Sequence, residues 1–207
     1  MHKISRTMVK AIIFDLDGVL VDACDLHYKA LNLALQRHNF HIITYQEHLS
    51  NYNGMPTKAK LKKIGYSDAD ISKISTTKQE LTLDLIYSEI FEDPKKVELL
   101  EYLKKSKYKI GVCSNSLNKS IKHFLQASKL SKYIDFYVGN DDVKNPKPAP
   151  DMYLRMLKLL NVTSSEAIVV EDTELGASSS QGAKIETIVV ASYDEVTIDL
   201  FKKYKLL

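Results

Sequence analysis

The sequence predicts an α/β fold: a doubly wound parallel sheet with a second, helical domain inserted into it. Three observations carry this. Short apolar runs recur at 9–14, 109–113, 134–138, 167–170 and 187–190, each bounded by small or polar residues, as strands buried on both faces require. Helical patterns alternate with the later runs, which implies parallel strands joined by right-handed crossovers. The stretch 22–92 breaks the alternation and reads as helix throughout. The chain thus divides into a core, residues 1–21 and 93–207, and an inserted helical domain, residues 22–92. Its 207 residues suffice to bury a full core and a smaller one beside it.

The first run, Val9-Lys10-Ala11-Ile12-Ile13-Phe14, is too short and too β-branched for a helix of its own. It ends abruptly in Asp15-Leu16-Asp17-Gly18. Strand alternation sends both aspartates to one side, while Gly18 lets the backbone turn without a Cβ clash. Such residues can simply close a strand as a turn. Two carboxylates held together also repel unless a cation sits between them, and a hard oxygen site suits Mg²⁺. A calcium loop fits worse, because Val19 stands where that loop should still be polar.

Within 22–92, Leu26, Ala30, Leu33, Ala34 and Leu35 form the apolar face of one helix. Thr44-Tyr45-Gln46-Glu47 has capping-box spacing for a second, Pro56 begins a third, and Ser67-Asp68-Ala69-Asp70 begins a longer one ending near Phe91. An insertion after the first strand sits over the sheet's carboxyl edge, above Asp15 and Asp17, and reads as a cap. Asp93-Pro94 then opens a helix running to about Ser106, with Val97, Leu100, Tyr102 and Leu103 for its buried face. The second strand leads into Ser114-Asn115-Ser116, and the third into Gly139-Asn140-Asp141-Asp142. Pro150 opens a helix carrying Met152, Tyr153, Leu154, Met156, Leu157 and Leu160. The fourth strand leads into Glu171-Asp172-Thr173 and the fifth into Ala191-Ser192.

Composition excludes several classes. The net charge of +3 comes from 29 basic against 26 acidic residues, scattered rather than striped, so nucleic acid is not an expected partner. Cys24 and Cys113 are too few for a disulfide framework or a zinc site, and both read as buried structural thiols. No secretory core or membrane-length apolar segment is apparent, so a cytoplasmic monomer without membrane contact is expected.

Asp15, Asp17, Ser114, Asn115, Glu171 and Asp172 all follow apolar runs, so a parallel sheet gathers them at one edge. Lys147 lies in Asn145-Pro146-Lys147-Pro148-Ala149-Pro150, where three prolines stiffen the loop that presents it. Acids for a metal, a hydroxyl and an amide to donate hydrogen bonds, and one fixed positive charge suit a phosphate group.

In these residues the chain resembles the haloacid dehalogenase superfamily, in the subgroup with a helical cap after the first strand. Asp15-Leu16-Asp17-Gly18-Val19, Ser114-Asn115-Ser116, Lys147-Pro148-Ala149-Pro150-Asp151 and Glu171-Asp172-Thr173 with Gly176 are similar to the family's four motifs, in the family's order. The resemblance implies Asp15 as the nucleophile that forms an aspartyl-phosphate, and Asp17 as general acid and then base. It implies a Mg²⁺ site made by the carboxylates of Asp15 and Asp172 and the backbone carbonyl of Asp17, with Glu171 a further ligand or an anchor behind the ligands. Ser114 and the Asn115 backbone would bind the phosphoryl oxygens, and Lys147 would bridge phosphate and nucleophile. Gly176-Ala177-Ser178-Ser179-Ser180 departs from the Ala-rich helix usual after the fourth motif; the small residues keep close packing available.

His27 resembles the histidine by which capped sugar-phosphate phosphatases and β-phosphoglucomutase engage the catalytic aspartate. Gly54-Met55-Pro56-Thr57-Lys58 is similar to their cap loop, with Lys58 where a mutase grips a second phosphate by arginine. Lysine lacks that planar fork. Asn51, Tyr52 and Asn53 offer further hydrogen bonds to a sugar. The expected activity is Mg²⁺-dependent hydrolysis of a small phosphorylated metabolite, a sugar phosphate; a sugar phosphomutase is the alternative. Dehalogenation is disfavoured, since that branch needs neither a Mg²⁺ site nor a second catalytic aspartate.

Overall fold

The computed structural model describes residues 8–52, 54–204 and 206. In chain order the elements are β1 (Ala11–Phe14), α1 (Cys24–Arg37), α2 (Tyr45–Glu47, continued by a π turn at His48–Tyr52), α3 (Thr57–Ile64) and α4 (Asp68–Glu89). They continue as α5 (Pro94–Lys105), β2 (Lys109–Cys113), α6 (Asn118–Ala127), β3 (Phe136–Val138), α7 (Asp151–Leu160), β4 (Ala167–Glu171), α8 (Glu174–Gly182), β5 (Glu186–Val189) and α9 (Ile198–Lys203).

The sheet has five strands in the order β3-β2-β1-β4-β5, every pair parallel. The connection from β1 leads toward β2, whereas that from β4 leads toward β5 on the other side. The two loops part between β1 and β4, which opens a crevice at their carboxyl ends. Register sets Phe14 beside Val170 there, so Asp15 and Glu171 emerge side by side.

Alternation along β1 feeds two apolar layers. Ile12 and Phe14 pack with Leu99, Leu100 and Leu103 of α5, Ile121 and Phe124 of α6 and Phe201 of α9. Ala11 and Ile13 pack with Met152, Tyr153 and Met156 of α7 and with Ala183 just past α8. Helices therefore cover both faces, and a strand buried twice has to be apolar at every position. Of the residues expected inside, Leu33, Tyr102 and Leu154 are exposed, because none lies on its helix's core stripe; on α1 the buried position is Leu31. Tyr133 is buried, whereas Tyr137 lies on the edge strand β3 and is exposed.

Residues of α1, α3 and α4 enclose a third cluster built on Ala30, Leu31, Leu35, Leu61, Ile74 and Leu81. The expected starts of these helices are realised. Thr44 and Glu47 form the capping box, Ser67 caps α4 by accepting from Asp70 N–H, and Asp93 caps α5 ahead of Pro94. The helical cluster joins the core through α4, where Gln79 donates to Ser120 Oγ at 2.5 Å. No helix among the described residues is long and apolar enough to cross a membrane.

Asn32 holds the entry to α2 by pairing with both backbone groups of Ile43, donating to its oxygen at 2.8 Å and accepting from its N–H at 3.0 Å. Replacing it with leucine strands both groups. The expected loss is about 1–3 kcal/mol, read as a lowered thermal midpoint by circular dichroism.

Candidate active site

The crevice between β1 and β4 holds the residues that the sequence sends to the sheet edge. Asp15 N–H still donates to Val170 O at 2.9 Å, so the ladder itself positions its carboxylate. The chain then turns at Gly18, where φ is +85° and a Cβ would lie 2.2 Å from Asp172 Oδ2. Glycine is required there twice, for the backbone and for the space. Gly176 makes the same room on the other side, since a Cβ on it would overlap the Glu171 carboxylate.

Lys147 reaches into this space from its proline-flanked loop and is 4% exposed. Its Nζ donates to Asp15 Oδ1 at 2.6 Å, to Glu171 Oε1 at 2.5 Å and to Cys113 O at 2.7 Å. Three protons meet three acceptors, so the ammonium is fully satisfied and its orientation is set. Tyr153 OH adds a bond to Glu171 Oε1 at 2.7 Å, and Thr173 Oγ1 donates to Oε2 at 3.3 Å. Burial opposes the charge on Lys147, but Asp15 and Glu171 outweigh it and raise its pKa.

One ammonium does not neutralise this set. Asp15, Glu171 and Asp172 bring one carboxylate oxygen each within 4.8 Å of one another. Burial, then Glu171 and Asp172, push Asp15 well above the usual carboxylate range in spite of Lys147. Burial and Glu171 push Asp172 up to about 7. Asp172 Oδ1 is buried with no hydrogen-bond partner among the described residues. Convergent hard oxygens, mutual repulsion and an orphaned oxygen are what a divalent cation relieves, so the residues present fit a bound metal.

Asp17 faces the other way. Its Oδ2 accepts from Ser114 Oγ at 3.2 Å and Ser116 Oγ at 3.1 Å. His27 lies 3.1 Å from Oδ1, and Lys78 Nζ of α4 lies 3.0 Å from the other ring nitrogen, Nδ1. Lysine can only donate, so Nδ1 accepts, Nε2 carries the proton, and a neutral imidazole donates to Asp17. Burial followed by Lys78 lowers the His27 pKa, in keeping with that neutral state. Burial opposes the Asp17 charge, yet His27, Lys78 and the serine hydroxyl lower its pKa on balance. The Asp17 carboxylate thus stands apart from the acid trio, and only its backbone carbonyl is left to the metal role that the resemblance implies.

Asn115 serves as a clamp. Its amide donates to Gly54 O at 3.1 Å and accepts from Lys147 N–H at 3.1 Å, tying the loop before α3 to the loops that carry Asn115 and Lys147. Lys58 is exposed at the rim of the cavity rather than set inside it. Cys113 is buried, but Cys24 is only partly so and lines the cavity; neither thiol forms a disulfide. Tyr52 packs against the cluster of α1, α3 and α4, and Asn53 lies outside the described residues. Ser179 and Ser180 are packing residues, donating to Ala149 O and Ala177 O.

Polar residues around the site that the sequence did not single out include Tyr153, Ser116, Lys78 and Lys60. Tyr153 reads as one more apolar position of α7, and nothing local marks its hydroxyl. Ser116 stands in the quoted motif without a role of its own. Lys78 sits in a polar run of α4, and Lys60 is one of several lysines in Lys58-Ala59-Lys60-Leu61-Lys62-Lys63. Helical spacing sets Lys60 on the same side as Ile64, and that was the available signal.

The sequence pattern of the haloacid dehalogenase-like hydrolases matches residues 12–190, which takes in every residue of this site. The chain belongs to that family. It is 29% identical over 184 residues to a phosphorylated carbohydrates phosphatase of Thermotoga maritima, covering 87% of this chain and 84% of that one. It is 28% identical over 180 residues to a phosphoglycolate phosphatase of Aquifex aeolicus, covering 86% and 83%. Its fold is that of CbbY from Rhodobacter sphaeroides in complex with phosphate, with a TM-score of 0.80, 23% identity and coverage of 88% and 86%. This hydrolase is therefore an enzyme whose curated relatives bear phosphatase names.

Gly18→Ala is expected to cost at least about 1–2 kcal/mol for the left-handed backbone alone. It should also displace Asp172, so calorimetric titration should show weaker divalent-cation binding in the folded variant.

Proposed function

We propose that this hydrolase is a Mg²⁺-dependent cytoplasmic phosphatase of a small phosphorylated metabolite of sugar-phosphate size, working through an aspartyl-phosphate on Asp15. The observation that carries the reading is Lys147, whose ammonium is held between Asp15 and Glu171 beside an acid trio with one orphaned oxygen. A carboxylate attacks a phosphate dianion only where fixed positive charge lowers the repulsion. Mg²⁺, when held by Asp15, Asp172 and the Asp17 carbonyl with Glu171 as ligand or anchor, supplies the rest of that charge.

In the first half an Asp15 oxygen bonds to phosphorus, the ester P–O bond breaks, and Asp17 gives its proton to the leaving alkoxide. The incoming phosphate dianion raises the proton affinity of Asp17, which takes up one proton from solvent as substrate binds. In the second half Asp17, again a carboxylate, takes a proton from water as the water oxygen attacks phosphorus and releases Asp15. His27 keeps Asp17 in position for both. Ser114 and the Asn115 backbone receive the phosphoryl oxygens. Residues 22–92 act as the cap that closes over the core of residues 1–21 and 93–207, with Lys58 at its rim meeting the anionic substrate as it enters.

With Mg²⁺, release of inorganic phosphate from a panel of phosphorylated sugars and acids is expected, and Asp15→Asn should lower it on the order of 10⁴-fold or more. A sugar phosphate that is isomerised, needs a bisphosphate activator and yields no free phosphate would establish the mutase instead.

The metal also sets a pH dependence. Asp172 rises from its ordinary 3.8 to about 7 in the folded chain. It therefore keeps a proton that the unfolded chain has released, and metal-free stability falls as pH rises from about 4 to about 7. At pH 7.5, Mg²⁺ at a hundred times its Kd is expected to restore about 2.7 kcal/mol. Melting curves with Mg²⁺ and with chelator should then differ on the order of 5–10 °C.

A further inference from the structure

The same cavity, about 600 Å³ in volume, has a second polar wall that the hydrolysis does not use. It lies wholly on the inserted helices: Cys24 of α1, His48 after α2, Lys60 of α3, and Ser75 and Lys78 of α4 all line it. Lys60 is 6% exposed and His48 1% exposed, and both line this space. Among the described residues, Lys60 Nζ makes no hydrogen bond or ion pair. His48 Nδ1 and Ser75 Oγ are buried without a hydrogen-bond partner. Among the described residues the Lys78 ammonium bonds only the His27 ring, leaving two of its three protons to point elsewhere.

A buried lysine and a half-buried one on the same wall, with no carboxylate hydrogen-bonded to either among the described residues, is an unfavourable arrangement that fold packing does not repay. Burial and then Lys78 push Lys60 down to about 7, and burial pushes Lys78 down to about 8. Burial and the nearby Lys60 lower His48 to about 4, so its ring is neutral. The Cys24 thiol lies 3.8 Å from His48 Nε2 and burial holds it protonated, so when it donates to Nε2 the ring proton sits on Nδ1. Every orphaned group on this wall can therefore donate, and the two formal charges are positive. The missing partner is an anion.

Resting on the phosphatase reading above, we infer that Lys60, Lys78, His48 and Ser75 form a subsite for a second anionic group on the substrate. The substrate class is then a small phosphate ester whose leaving group carries a carboxylate or a further phosphate, rather than a neutral sugar monophosphate. Lys78 is separated from Asp17 only by the His27 ring, so a leaving group of a few carbons spans the two walls.

Three probes that cannot be hydrolysed test this by calorimetric titration of the full chain with Mg²⁺: propylphosphonate, 3-phosphonopropionate and propane-1,3-diphosphonate. At least one of the latter two should bind tenfold or more tightly than propylphosphonate, and which one does so tells carboxylate from phosphate. Lys60→Met should remove that advantage, and Lys60→Arg should restore most of it. If Lys60→Met does not fold by circular dichroism, Lys60→Gln takes its place under the same expectation. Equal binding of all three probes to the natural chain, or an advantage that survives loss of the Lys60 charge, would overturn the subsite alone. If no probe binds, the phosphatase reading falls with it.

Discussion

The buried ammonium of Lys147 is the constraint on which the rest of the site depends. Asp15 and Glu171 leave adjacent parallel strands side by side, and the sheet offers them no means of moving apart. Two carboxylates in that position stand only if a cation lies between them. Lys147 supplies it with all three protons used, and Tyr153 and Thr173 complete the hydrogen bonding of Glu171. A buried charge network of this kind contributes little net stability; its effect is to set one geometry, since an ammonium with three fixed acceptors has one orientation.

The backbone makes the room for these charges. Parting of the β1 and β4 connections opens the crevice, and two glycines keep it clear where any side chain would strike Asp172 or Glu171. A lysine loop, a glycine turn and two strand ends then converge on a volume small enough for fixed charges to act strongly on one another. Asp172 remains undercompensated even so, an arrangement that fits a divalent cation.

The inserted helices share in this chemistry. His27 and Lys78 connect α1 and α4 to Asp17, and Asn115 holds the Gly54 loop against the core. Gly54, with φ at +71°, approaches Thr173 so closely that a Cβ would sit 3.0 Å from its methyl group. The cap and the catalytic edge are therefore coupled at several points, and Asp17 takes its charge state in part from residues of the other layer.

What was legible in the sequence was whatever strand periodicity and local turn chemistry dictate. Doubly buried strands must be apolar throughout, so the runs stood out, and the polar residues that end them were placed at one edge with Asp15, Asp17, Ser114 and Asp172 among them. Lys147 was visible because prolines surround it, and the helix starts because caps are local. The cap wall was not legible. Lys60 is one lysine in a cluster of them, Lys78 one polar residue on a long helix, and His48 a lone histidine. Their meeting follows from how α1, α3 and α4 pack together, and Tyr153 reaches Glu171 because α7 packs against the sheet. The sequence by itself determined the fold class and the polar edge of the sheet, because both rest on spacing along the chain. Only the tertiary structure decided which lysines and histidines line the cavity above that edge, because that depends on side chains from separate helices meeting in one place.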